Sequence, residues 1–152
     1  IDDCSLAREI KRGGHPIWLG LSPVSESTRG YGTLREIVRM IARTAYTQLG
    51  SSPLQLAGCV FGFGLTFLAP PLLLLTAPGI GAWLGGAAWL LMSLLYLPMV
   101  RFYRVPVWWS AGLPLTGAVY LYATLLSAWW HHHGKGGWWK GRSQAPTTPA
   151  TQ

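Results

Sequence analysis

Long uncharged stretches dominate the pattern of apolar and polar positions along the chain. No Lys, Arg, Asp or Glu occurs from Thr44 to Val100, and Val105 to Gly134 is likewise free of them. A charged side chain at a bilayer centre costs about 2.5 to 3.5 kcal/mol on insertion scales, and a helix needs about 20 mainly apolar residues to span the hydrocarbon. The first gap therefore predicts two spans, near residues 54–75 and 80–100, and the second predicts one, near 107–130. Trp108, Trp109, Trp129 and Trp130 bracket the last of these, as indole rings do at headgroup level. Pro70-Pro71 interrupts the first span and predicts a kink or a re-entrant hairpin there, so the pattern gives two or three transmembrane helices. Gly58, Gly62 and Gly64 in the first span, with Gly81, Gly85 and Gly86 in the second, predict close helix approach.

Upstream of the spans the period changes. Residues 4–12 read as a short helix capped by Asp3, with Leu6 and Ile10 on one face and Gly13-Gly14 ending it. Pro16 to Leu21 is an apolar run between turn formers and reads as a buried strand or a packed loop. Ser22 to Gly32 is a polar loop. From Thr33 to Leu49, the residues Leu34, Ile37, Val38, Ile41, Ala42, Ala45 and Leu49 form one stripe, and Arg35, Glu36, Arg39 and Arg43 lie off it. This is an amphipathic helix. Thr33 and Glu36 have the spacing of a capping box, each side chain accepting from the other's backbone N–H, and Gly50 and Pro53 mark the end. A basic amphipathic helix directly before a hydrophobic span suits the membrane interface, the alternative being a helix packed on a soluble domain.

These elements divide the chain into residues 1–32, the end of a soluble domain; 33–50, the amphipathic helix; 51–130, the membrane region; and 131–152, a basic and aromatic tail expected to become disordered from Pro146. All five acids (Asp2, Asp3, Glu9, Glu26, Glu36) lie in the first fifty positions, and beyond them every formal charge is positive, within a net charge of +7. Basic residues flanking apolar spans point to anionic membrane lipids as partners and away from nucleic acid. Cys4 and Cys59 have neither a disulfide framework nor metal-site spacing. The chain begins at Ile1 in what reads as the middle of a domain, so further sequence is expected upstream.

Three polar features are candidates for chemistry: Asp2-Asp3, the arginines of the amphipathic helix, and His131-His132-His133 with Trp138-Trp139-Lys140-Gly141-Arg142 after it. Each has an ordinary reading as helix cap, lipid anchor or interfacial turn. Three adjacent histidines on a helix cannot all face one metal, and no carboxylate lies near them in sequence. A carboxylate at a helix start can act as a general base if a hydroxyl comes within reach.

Asp2-Asp3-Cys4-Ser5-Leu6-Ala7, followed by Lys11-Arg12-Gly13-Gly14 and a short apolar run, resembles the acidic motif and following helix of family 2 glycosyltransferases. The run Arg39 to Leu49, the Leu68-Ala69-Pro70-Pro71 step and Trp139-Lys140-Gly141-Arg142 look like the C-terminal part of the hopene-associated members. The resemblance implies a mainly α chain that follows the end of a nucleotide-sugar-binding α/β domain of GT-A type. It implies Asp3 as the base that deprotonates the acceptor, with Asp2 beside it, and inverting transfer from a nucleotide-sugar donor to a lipid acceptor. Relatives carry a Gln/Arg-x-x-Arg-Trp motif on an interfacial helix; Met40-Ile41-Ala42-Arg43-Thr44 matches in part, which implies Arg43, or Arg39 one turn earlier, against the diphosphate. A divalent metal, Mg or Mn, is implied with ligands upstream of Ile1 and none in this stretch. The bacterial cytoplasmic membrane, with the catalytic side cytoplasmic, is the implied location. The competing reading is a non-enzymatic membrane scaffold or transporter subunit with Asp2-Asp3 as a cap.

Charge and span number conflict. The basic residues before Thr44, together with Arg101 and Arg104, fit one cytoplasmic face if the first two spans cross. A third crossing would then put Lys135, Lys140 and Arg142 on the other face. A re-entrant first span does not satisfy every charge either.

Overall fold

A computed structural model describes residues 2–24 and 30–134, with side chains from Cys4 onward. The chain forms two units, Ile1–Gly30 and Tyr31–Gln152. Among the described residues there is no strand.

In the first unit, α1 spans Asp2–Arg12. Asp2 and Asp3 therefore lie within its first turn, and Asp3 does not sit outside the helix as a cap. Their negative charge still complements the N-terminal end of the helix dipole. The helix closes through His15 N–H donating to the Ile10 carbonyl (3.2 Å), with Gly14 at φ +79°, a left-handed position that glycine adopts without cost. The surface ion pair between Arg12 and Glu9 (2.6 Å) is exposed at both ends and adds little. Pro16 to Leu21 is neither strand nor buried: Trp18 is 86% and Leu19 98% exposed. A strand needs a partner edge to satisfy its backbone, and the described part of this unit offers only a helix.

The described residues of the second unit form helices joined by short turns. Thr33 caps α2 (Leu34–Ala42), its hydroxyl accepting from Glu36 N–H at 3.3 Å. The return bond differs from the expected box, because the Glu36 carboxylate accepts from Gly32 N–H (3.1 Å), one residue earlier. The expected single helix to Leu49 breaks at Thr44, after which α3 spans Ala45–Gln48. The cause is tertiary: Tyr46 N–H, which a continuous helix would aim at Ala42, donates to Ser127 Oγ at 3.0 Å. Ser52 then caps α4 (Pro53–Phe63) with Pro53 in its first turn, where a missing N–H costs nothing.

A π-helical segment, Gly64–Leu68, joins α4 to α5 (Ala69–Thr76), and Pro70 and Pro71 open α5. Pro53–Thr76 is thus one 24-residue helix and not the hairpin that Pro70-Pro71 allowed. The prolines remove two donors and crowd the carbonyls four residues earlier. The wider turn absorbs both effects, Ala69 N–H reaching back five residues to Gly64. Gly79, at φ +59°, turns the chain into α6 (Ile80–Phe102). A 3-10 segment, Val107–Gly112, leads into α7 (Leu113–His132). Among the described residues, three helices are long and apolar enough to cross a membrane: Pro53–Thr76, Ile80–Phe102 and Val107–His132. These mark a membrane protein.

Packing uses few but close contacts. Gly85 rests on the α5 backbone, where an added Cβ would lie 2.7 Å from both Pro70 O and Leu74 N. Gly117 on α7 faces Phe67 as closely, at 2.6 Å. Gly58, Gly62 and Gly64, expected to mediate close approach, have no described neighbour within 4 Å of an added Cβ. The stripe of α2 is satisfied by protein: Val38 and Ala42 are buried with Ala123, and Ile41, Val119, Leu126 and Trp130 surround them. Because α7 covers this face, lipid cannot be its sole partner.

Candidate functional site

Asp2 and Asp3 are adjacent in the first turn of α1 in the first unit. Arg39 and Arg43 belong to the second unit, four residues apart at the end of α2, with Arg43 N–H donating to the Arg39 carbonyl at 3.1 Å. That spacing stacks their side chains on one face of the helix, about 6 Å apart along its axis. Arg39 is exposed and Arg43 half-buried. Val38 and Ala42, one residue before each arginine, are turned into the contact with α7. The buried face thus fixes the rotation of the helix, and with it the side from which both arginine side chains leave the backbone.

Beside this helix end lies a buried polar cluster that pattern reading passed over. Tyr46 is 1% exposed. Its ring meets His131 edge-on at 5.1 Å and His132 at 5.7 Å, while its backbone N–H is held by Ser127. Thr124 and Ser127 are buried on α7, and Thr124 Oγ1 returns its proton to the Tyr120 carbonyl at 2.8 Å. Thr124, Ser127 and His131 follow one another at helical spacing within an otherwise apolar span. That polar stripe was the available signal for a helix packed on protein.

The histidines meet the expectation of a solvated turn only in part: His132 and His133 are exposed and His133 lies in a turn, but His131 is half-buried and on the helix. His131 and His132 are the last residues of α7 and pack on Tyr46, and His133 Nδ1 lies 2.8 Å from the Trp129 carbonyl with its ring 4.4 Å from the indole. Among the described residues no three His, Cys, Asp or Glu side chains converge on a point where a metal could sit. A divalent ion does not fit the donors described. The Trp138–Arg142 motif and the tail expected to be disordered from Pro146 lie outside the described residues.

An open apolar groove runs between α6 and the 3-10 segment, lined by Gly86, Trp89, Ser93, Leu97, Ser110 and Ala111. Trp89 Nε1 donates across it to the Ala111 carbonyl at 3.0 Å.

No family model, curated protein or solved structure matches this chain.

Proposed function

We propose that the chain is the C-terminal, membrane-embedded part of an inverting glycosyltransferase of family 2 type that moves a sugar from a nucleotide-sugar donor to a lipid acceptor, hopanoids being the acceptor class suggested by the resemblance. The observation that carries this reading is the acidic pair Asp2-Asp3 opening an 11-residue helix that ends on Lys11-Arg12 and Gly13-Gly14, in a chain otherwise built of membrane-length helices.

In this mechanism the acceptor oxygen attacks the anomeric carbon while the bond to the nucleoside diphosphate breaks. The acceptor proton passes to the Asp3 carboxylate, and Asp2 adds negative charge beside it. The departing diphosphate gains one negative charge as the bond breaks, a charge that cations such as Arg43 and Arg39, on one helix face of the second unit, are suited to neutralise. A lipid acceptor reaches such a site from the bilayer, the cytoplasmic leaflet being the side that the basic residues favour. The divalent metal of the family would be held by residues upstream, and no step above depends on it.

Asp3→Asn in the full-length enzyme tests the assignment. Positioned base catalysis is worth about 10²- to 10⁴-fold, so kcat should fall by that order while donor binding is retained. Near-normal turnover removes Asp3 from the role, whereas a full-length protein that transfers no sugar at all favours the scaffold reading, in which the acidic pair is only helix-terminal charge.

A further inference from the structure

The geometry points to segment Val105–His132 as a re-entrant element, entering and leaving the bilayer on one face, with only Pro53–Thr76 and Ile80–Phe102 crossing it. This face then carries the basic residues of the second unit and docks on an anionic lipid leaflet. The inference stands on the second unit alone and is independent of sugar transfer.

The contacts of the two full spans set a depth scale. Gly85 lies on Pro70 and Leu74, so α6 runs back along α5 from the Ala77–Gly79 turn. Phe67 is nine residues before Thr76, and Trp89 nine residues after Ile80. At a rise of 1.5 Å per residue both lie about 14 Å from the turn side, near the middle of a hydrocarbon layer about 30 Å thick.

The segment after α6 reaches these same two residues. Val105 N–H donates to the Val100 carbonyl at 3.0 Å, which folds the chain back on the end of α6. Ser110 and Ala111 line the groove with Leu97 and Trp89, and the Ala111 carbonyl accepts from Trp89. The 3-10 segment therefore descends along α6 to mid-depth. There Gly117 meets Phe67. From that point α7 runs against the direction of the first span, for Ser127 binds Tyr46, seven residues before the span begins at Pro53. Gly117 to His131 and Phe67 to Pro53 are each fourteen residues, about 21 Å of helix. Both arrive at the same face.

Two further observations agree. Backbone inside a bilayer must be satisfied within the protein. The non-α stretch is satisfied by Trp109 N–H on the Pro106 carbonyl, by Ser110 Oγ on the Val107 carbonyl (2.8 Å) and by the Trp89 bond. The charge conflict also eases: Arg35, Arg39, Arg43, Arg101 and Arg104 fall on one face, where α7 also ends at His132, and among the described residues none on the Ala77–Gly79 side is charged. Single-sided Lys and Arg are the pattern of a cytoplasmic surface facing anionic headgroups.

Single-cysteine variants of the full-length protein, with its other cysteines replaced, test this in sealed right-side-out and inverted vesicles. Thr47→Cys, Tyr103→Cys and Ser143→Cys should be blocked by an impermeant maleimide from one face, and Pro78→Cys from the other. Labelling of Ser143→Cys together with Pro78→Cys would make Val107–His132 a true third crossing and overturn the proposal. Labelling of Tyr103→Cys with Pro78→Cys would do so equally. Should a cysteine variant fail to insert, protease protection of a C-terminal epitope on the otherwise unchanged protein reads the same question. Cleavage from the face that exposes Thr47 upholds the re-entrant path, and cleavage from the opposite face refutes it.

Discussion

Replacing Gly85 with alanine places a methyl group against the backbone of α5, and backbone cannot swing aside. The added Cβ would lie 2.7 Å from Pro70 O and Leu74 N and 2.8 Å from Leu73 Cβ, whereas ordinary contact begins at 3.4 Å. The α5 and α6 helices must therefore separate by about 0.7 Å at their closest point, a change of the size that costs about 1 to 3 kcal/mol in a packed interior. A gain in helix propensity of roughly 0.5 to 1 kcal/mol on replacing glycine partly offsets this. A net loss of about 0 to 2.5 kcal/mol remains, centred near 1 kcal/mol, enough at that centre to lower an apparent Tm by a few degrees. Gly86→Ala is the internal control, because its nearest neighbour is the mobile Leu74 Cδ1 at 3.3 Å. Gly58→Ala and Gly62→Ala, with no described atom within 4 Å, should hold or raise stability through propensity alone. Thermal unfolding in detergent, followed by loss of the monodisperse peak on size exclusion, measures all four. If Gly58→Ala proves as damaging as Gly85→Ala, the close approach of α5 and α6 is not what sets tolerance to substitution.

Ser127→Ala removes the acceptor for the Tyr46 N–H, which sits in a buried contact; leaving that donor unsatisfied should cost about 1 to 3 kcal/mol in the same unfolding assay. A loss near zero, accompanied by increased helical circular dichroism, would mean that the N–H had returned to Ala42 and that the break at Thr44 is not imposed by α7. Thr33→Ala deletes the cap on Glu36 N–H and should cost about 0.5 to 2 kcal/mol, with Thr33→Ser restoring most of it. Equal stability of the alanine and serine variants would show that the start of α2 is fixed by its packing instead.

What sequence could reveal here depended on whether the deciding interaction was local. The apolar spans follow from side-chain solvation at each position, so their existence and approximate limits were legible. The start of α2 was legible for the same reason, since Thr33 and Glu36 act within one turn. Its interruption at Thr44 was not, because the cause is Ser127, far along the chain. Pro70-Pro71 signalled a perturbed helix, but whether the chain would reverse or widen by one π turn was decided by residues such as Gly85 that hold α5 against α6. The apolar run at Pro16 has strand composition without a strand's hydrogen-bonding partner among the described residues, and composition alone cannot supply one. Among the candidate residues, Asp2-Asp3 of the first unit and the four-apart Arg39 and Arg43 of the second could be read directly, whereas Tyr46, Ser127 and His131 come together only through folding.

The packing of α2 on α7 changes what its arginines can do. A helix held at an interface by lipid alone rolls and slides, since acyl chains present no fixed partner. Here Ala42 is 2% exposed and Val38 9%, and both pack with Ala123 of α7, so a roll of one residue, about 100° for an α-helix, toward the arginine side would bring Arg39 and Arg43 into that contact. The orientation of α2 is therefore locked, with Arg39 outward and Arg43 half-buried beside Tyr46 in the sequence. On the proposed function, cations on a helix of fixed rotation need less reorganisation as charge develops, which is the condition for electrostatic assistance to a departing anion. The His131/His132 contact with Tyr46 attaches α3 to α7 just beyond the end of the basic helix. Loss of that contact should loosen Arg43 before it unfolds the spans, because the spans have their own seat at Gly85.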